Sequence, residues 1–183
     1  MSNIFFTSDT HFCHDKPFIY KERGFKTIDE MNEVIVERWN SIVKSDDIVY
    51  HLGDVFLGPD RDKAINIIKR LNGKIYYAYG NHCTDSRITV LKTLTNTVDV
   101  QMGYRIKKEK KCFILTHYPT LTGNTTQDHT YCLHGHTHQK TNFTEGFPLM
   151  YHVGIDSHNC YPVSFDEILQ DIKRRKDNDY SSK

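Results

Sequence analysis

Nowhere in its 183 residues does the chain carry an apolar run of about 18 residues, so no segment reads as a membrane-spanning helix. Net charge is almost missing as well. Lys and Arg number 24 against 23 Asp and Glu, a formal +1, which excludes a global basic field for holding nucleic acid stably. Cysteine is sparse and scattered. Cys13, Cys83, Cys112, Cys132 and Cys160 form an odd set without a C-x-x-C pair, which argues against a zinc knuckle or a disulfide framework and for a reducing cytoplasm. The N-terminus enters an apolar run directly, without the charged and apolar regions of a signal peptide. No repeat, low-complexity tract or linker breaks the chain. Its length suits one domain with a real core, read as residues 1–176, with a polar, mobile tail over 177–183.

What is there alternates short apolar runs with helical patterns. Ile4 to Ser8, Ile48 to Leu52 and Ile75 to Tyr79 read as buried strands. Thr27 and Glu30 form a capping-box pattern, and Met31, Ile35, Trp39 and Ile42 recur at helical spacing after it. Further helices fit Arg61 to Leu71, stopped by Gly73, and Asp85 to Leu94. Two strands are expected within 98–116 around a polar turn at Lys107 to Lys110, and another at Tyr131 to His134. Ser164 with Glu167 caps a last helix whose buried face is Phe165, Ile168, Leu169 and Ile172. Tyr118 to Thr130 is a long non-periodic stretch of the kind that is functional or mobile.

Polar clusters stand behind these apolar runs. Asp9-Thr10-His11 comes first, then Gly53-Asp54, Gly80-Asn81-His82, His117, and Gly135-His136-Thr137-His138. Loops at one edge of a sheet can converge on one point. Converging here are carboxylate, amide oxygen and imidazole, a set suited to borderline divalent metals and rich enough for two. Any one cluster alone would be an ordinary turn or cap. The weight lies in their order, because structural histidines have no reason to track strand ends. Glycines 53, 80 and 135 precede these residues where backbone must turn tightly or crowd a metal.

The ordered set resembles the calcineurin-like metallophosphoesterase superfamily, whose motifs run D-x-H, G-D, G-N-H, H and G-H-x-H. Val153-Gly154-Ile155-Asp156 with Pro162-Val163-Ser164 is similar to the closing segment of its small single-domain phage and bacterial members. The resemblance implies an α/β fold of two packed mixed β-sheets flanked by helices, a four-layer α/β/β/α arrangement. It implies two divalent ions drawn from Mn, Fe, Ni, Zn or Co, with Mn favoured. Asp9, His11 and His138 would complete the first site, Asn81, His117 and His136 the second, and Asp54 would bridge them. His82 would stabilise the transition state and protonate the leaving oxygen. His14 and His129 are candidates to touch substrate, and Arg23 to help bind phosphate. Two departures stand out. Cys83 replaces the acidic residue that usually follows G-N-H, and Leu57 stands where the protein phosphatases carry the Asp that orients the catalytic histidine.

The implied function is hydrolysis of phosphate esters by a metal-bridging hydroxide, with small phosphodiesters such as nucleotides as the first reading. A DNA or RNA nuclease and a phosphomonoesterase are the alternatives. A non-catalytic scaffold ranks last, because the ligand set is complete. No oligomeric state follows from the sequence.

Overall fold

The computed structural model describes residues 2–122 and 130–181. The expectation placed on His129 lies outside the described residues.

Among the described residues, ten strands form two five-stranded sheets. The first contains β1 (Ile4–Thr7), β2 (Ile48–His51), β3 (Lys74–Ala78), β4 (Thr97–Gln101) and β10 (Val163–Ser164), in the order β10-β1-β2-β3-β4. Within it β1 to β4 run parallel and β10 antiparallel. The second contains β5 (Gly103–Lys108), β6 (Lys111–Thr116), β7 (Thr130–His134), β8 (Phe143–Thr144) and β9 (Phe147–His152), in the order β5-β6-β7-β9-β8. There β6, β7 and β9 run parallel, with antiparallel strands at both edges. Two mixed sheets flanked by helices is the expected architecture.

Alternation along the strands separates two cores. Phe5, Val49 and Ile75 pack with Met31, Ile35 and Trp39 of α2 (Ile28–Ile42), Ala64, Ile67 and Ile68 of α3 (Arg61–Ile68), and Leu91 of α4 (Asp85–Lys92). Phe6, one residue on, joins the other core with Phe113, Leu115, Tyr131, Leu133 and Tyr151 of the second sheet and Phe165, Ile168 and Ile172 of α5 (Phe165–Ser181). The first sheet is therefore apolar on both faces, as a parallel sheet between two layers must be.

Side chains close the helix ends. Thr27 Oγ1 accepts from the Glu30 amide at 3.1 Å and starts α2. For α5 the capping box is complete: Ser164 Oγ accepts from the Glu167 amide at 3.2 Å, and Glu167 Oε2 accepts from the Ser164 amide at 2.8 Å. Each such cap is worth about 1 kcal/mol.

Several boundaries differ from the sequence reading. Residues 97–116 hold three strands, not two. The chain bends at Met102 and leaves the first sheet as β4 for the second as β5. Only Val100 of β4 is buried, so no apolar run advertises it. The hairpin turn sits at Glu109-Lys110, both at positive φ (51° and 58°), the backbone of a two-residue turn. Helix α5 runs past residue 176 into the stretch read as tail, since no glycine or proline stands there to stop it. The short α1 (Pro17–Tyr20), β8 and β9 were not anticipated.

Candidate metal centre

Every expected ligand lies just past the C-terminal end of a parallel strand. Asp9 and His11 follow β1, Asp54 follows β2, and Asn81 and His82 follow β3. From the second sheet, His117 follows β6, and His136 and His138 follow β7. The two edges are stitched together where they meet. Ser8 bridges to Gly154, the Ile155 amide donates to Ser8 O at 3.2 Å, and His117 Nδ1 meets Leu52 O at 2.8 Å.

The backbone at this junction is strained. Asp9, His11, Asp54, His136 and His138 all have φ between 48° and 68°, the left-handed region that side-chain-bearing residues rarely occupy. Glycines make room for them. A Cβ on Gly80 would overlap the Asp54 carboxylate, and one on Gly135 would overlap Ser8 and the Asp9 carboxylate.

Both carboxylates divide their labour. Asp9 Oδ2 accepts from the His136 amide at 2.9 Å, and Asp54 Oδ1 accepts from the His82 amide at 3.0 Å. Their other oxygens face the cluster. Asp9 Oδ1 lies 3.9 Å from His11 Nε2 and 3.8 Å from His138 Nε2. Asp54 Oδ2 lies 3.9 Å from His11 Nε2, 3.5 Å from His117 Nε2 and 4.0 Å from His82 Nε2. Two triads able to hold a cation result, Asp9–His11–His138 and Asp9–Asp54–His117, so Asp9 faces both halves of the cluster. Asn81 Oδ1 joins the second half, 2.8 Å from His117 Nε2 and 3.0 Å from His136 Nδ1.

The donor set fits cations. Asp9 Oδ1 and both His11 ring nitrogens are buried with no hydrogen-bond partner, a costly state for polar atoms unless something positive sits among them. His117 Nδ1 meets Leu52 O at 2.8 Å and must donate there, which leaves a lone pair on Nε2 facing the lone pairs of Asn81 Oδ1. Two acceptors approach that closely only with a cation or a proton between them. Burial pushes the Asp9 carboxyl upward and, with the Arg23 charge, drives the His11 ring down to about 2. A bound cation would reverse that penalty on the carboxylate and needs the imidazole neutral.

Sequence reasoning missed the support behind His138. Asp156, after β9, accepts from His138 Nδ1 at 2.8 Å, which fixes the tautomer and leaves Nε2 toward Asp9. Burial opposes charge on that ring, but the Asp156 hydrogen bond and the Asp9 and Asp156 charges outweigh it and raise the His138 pKa. Arg23 grips Asp156 with two bonds of 3.0 Å and donates to Asp9 O at 2.8 Å. Its guanidinium is thus engaged in a buried ion pair and is not a free phosphate binder, a correction to the expectation above. Asp156 alone had a visible signal, its place in the closing segment.

His82 is half-exposed at the edge of the cluster. Among the described residues no side chain hydrogen-bonds its ring, so no carboxylate takes the place of the missing Asp. Contacts with the rings of His11 at 5.6 Å and His14 at 6.2 Å limit it instead. His14 sits beside the cluster, its ring 5.3 Å from that of His11. Cys13 is buried, Cys83 accepts from the Gly80 amide at 3.2 Å, and burial raises both thiols, which suits packed side chains.

Comparison with known proteins gives a consistent family. The model of the calcineurin-like phosphoesterases matches residues 2–181. An uncharacterized protein of Methanocaldococcus jannaschii is 31% identical over 184 residues, covering 96% of this chain and 94% of its own length. The Gene 66 protein of Mycobacterium phage L5 is 26% identical over 194 residues, covering 92% of this chain and 93% of its own. Among solved structures, a protein of unknown function from Aquifex aeolicus superposes with a TM-score of 0.71 at 24% identity, over 93% of this chain and 99% of that one, and so shares the fold. No helix among the described residues is long and apolar enough to cross a membrane.

Proposed function

Because the chain belongs to the calcineurin-like phosphoesterase family, we propose that it is a phosphodiesterase acting on small phosphate diesters, nucleotides first among them, with two divalent cations held at the strand ends. The supporting observation is the position of Asp54 Oδ2 between His11 Nε2 at 3.9 Å and His117 Nε2 at 3.5 Å, where one oxygen can serve two ions. Asp9, His11 and His138 would hold the first ion, and Asn81, His117 and His136 the second. The mixed oxygen and imidazole set suits Mn, Fe, Ni, Zn or Co, with Mn favoured. When bound, such a pair neutralises phosphoryl oxygens and makes water acidic enough to attack phosphorus near neutral pH.

The chain's own residues do the rest. Asn81 contributes a neutral oxygen, so the centre keeps net positive charge for a phosphate anion. Asp156 and Arg23 hold His138 in one tautomer. His82, ring open to the cavity and Nε2 4.0 Å from Asp54 Oδ2, delivers a proton to the departing oxygen. A charge of +1 supplies no field for a long polynucleotide, so small esters are favoured over DNA or RNA, and the reducing cytoplasm remains the natural setting.

Hydrolysis of bis-p-nitrophenyl phosphate by metal-stripped protein tests this reading. Activity should appear only on adding a divalent metal, with cyclic nucleotides and dinucleotides turned over alongside. Full turnover in excess chelator would overturn it.

A further inference from the structure

Beside the ligand cluster lies a cavity of about 510 Å³, within the range of small-molecule sites. His82 and Phe18 both line it. Phe18 is the second residue of the four-residue helix α1 and exposes 64% of its surface. His14 stands between them, its ring 6.2 Å from that of His82 and 5.9 Å from that of Phe18. Phe18 meets His14 edge-on at 86°, and its exposure leaves ring surface open. His14 Nδ1 is buried without a hydrogen-bond partner. Away from His11 and His138, which also line it, the charges on the wall cancel. Glu22 and Asp156 oppose Arg23 and Lys140, Arg23 is locked onto Asp156, and Lys140 Nζ lies 3.5 Å from Asp156 Oδ1. A phosphate-bearing chain would find no surplus positive charge here. A flat, neutral, aromatic group would find a ring to stack on.

On the phosphodiesterase reading above, we propose that this cavity seats the leaving group, that the group is a nucleoside, and that Phe18 is the residue that selects it by stacking on its base. The cavity belongs to the leaving side because His82, the proton donor, opens into it. In the reaction, water oxygen bonds to phosphorus and the bond from phosphorus to the ribose oxygen breaks. The ribose oxygen keeps the electron pair and takes the proton of His82. One water proton returns to His82 through solvent, and the other stays on the phosphomonoester.

Dinucleoside monophosphates lacking a base on one side or the other test the assignment. Phe18→Ala should raise KM about 10-fold or more when the leaving side carries its base, within the usual worth of one stacked base. It should change KM less than about 2-fold when that base is missing, and Phe18→Trp should restore wild-type values. Equal effects on both substrates, or an effect that follows the retained base, would overturn the proposal. Binding gives a separate readout in metal-free protein. The native Trp39 is fully buried, out of a ligand's reach, so the quenching of Phe18→Trp beyond that of the wild type reports on the cavity, and a nucleoside should cause it where ribose does not. Quenching without any hydrolysis would retain the nucleoside seat and remove the phosphodiesterase reading. Hydrolysis without quenching would do the reverse.

Discussion

Asp9, His11, Asp54 and His117 are at most 3% exposed, whereas Phe18 and Lys140 on the adjoining cavity wall expose 64% and 59%. The buried set stands where parallel strands of both sheets end. Its left-handed backbone is tied by bonds between neighbouring strand ends and by the bond from the His136 amide to the Asp9 carboxylate across the sheets, and glycines with no room for a Cβ surround it. The exposed set stands on a four-residue helix and a bend, with side chains that make only peripheral contacts, Lys140 to Asp156 and Phe18 to His14. In the first region a substitution disturbs the junction where the two sheets meet; on the proposed reading, one in the second changes what the cavity accepts. Bond-breaking chemistry and choice of substrate are therefore separable in this fold, and they should fail separately.

The largest failure is expected from Asp54→Asn. The amide keeps an oxygen for the His82 amide but loses the charge facing His11 and His117. Activity should fall by more than about 1,000-fold, more than for any terminal ligand, because on the proposed reading both ions would lose their shared partner. Elemental analysis should show lower metal content in parallel. A variant with both metals and a near-normal rate would remove Asp54 from the bridging position.

His82 lies at the border of the two regions. His82→Ala should leave metal content intact and slow hydrolysis by about 100- to 10,000-fold for alkoxide leaving groups. The loss should shrink for p-nitrophenyl esters, whose leaving oxygen barely needs a proton. Equal losses on both would make His82 an electrostatic rather than a proton-donating residue, and loss of metal would make it a ligand.

The strand-end ligand region was also the more legible one. Asp9, Asp54 and Asn81 could be placed because apolar runs point at them and a strand can end only where its ligand-bearing loop begins. Their pairing with His117, His136 and His138 followed from motif order rather than from any periodicity. What escaped the sequence has little local signal. Strand β4 buries only Val100, and β9 carries Pro148, which weakens any strand reading. The bond from Asp156 to His138 joins residues that share no element, and the grip of Arg23 on Asp156 spans most of the chain. An arginine near phosphate chemistry reads as a substrate binder until burial shows where its charge is spent.

That support gives the next, smaller effect. Asp156→Asn keeps the size of the side chain but can no longer accept a charge-assisted bond from His138 Nδ1 at 2.8 Å, nor pair ionically with Arg23. Affinity for divalent metal, read by titration calorimetry, should weaken about 10- to 100-fold, while Asp54→Asn should do worse. Unchanged affinity would mean that the loop after β7 positions His138 without Asp156.

The smallest effect concerns stability and lies wholly on the buried side. His51 is fully buried at the end of β2, and burial drives its pKa down to about 3. Thr10 Oγ1 donates to Val55 O at 2.8 Å, so the His51 Nε2 proton must go to Thr10 at 2.9 Å, and the folded ring stays neutral. The unfolded chain has no such restraint, and its His51 takes up a proton below about pH 6.5. With the folded pKa depressed, this contribution to stability is complete above pH 6.5 and is lost as pH falls from 6.5 toward 3. At pH 5 the loss is about 2 kcal/mol. Urea unfolding of metal-free protein at pH 7.5 and pH 5 checks it. His51→Gln, which keeps an amide donor but does not titrate, should lose about 2 kcal/mol less than the wild type between the two pH values. His14→Gln, on the half-exposed cavity wall, should change that difference far less. Equal changes from the two replacements would show that the wall is as tightly coupled to folding as the ligand cluster, and the two regions would no longer be separable.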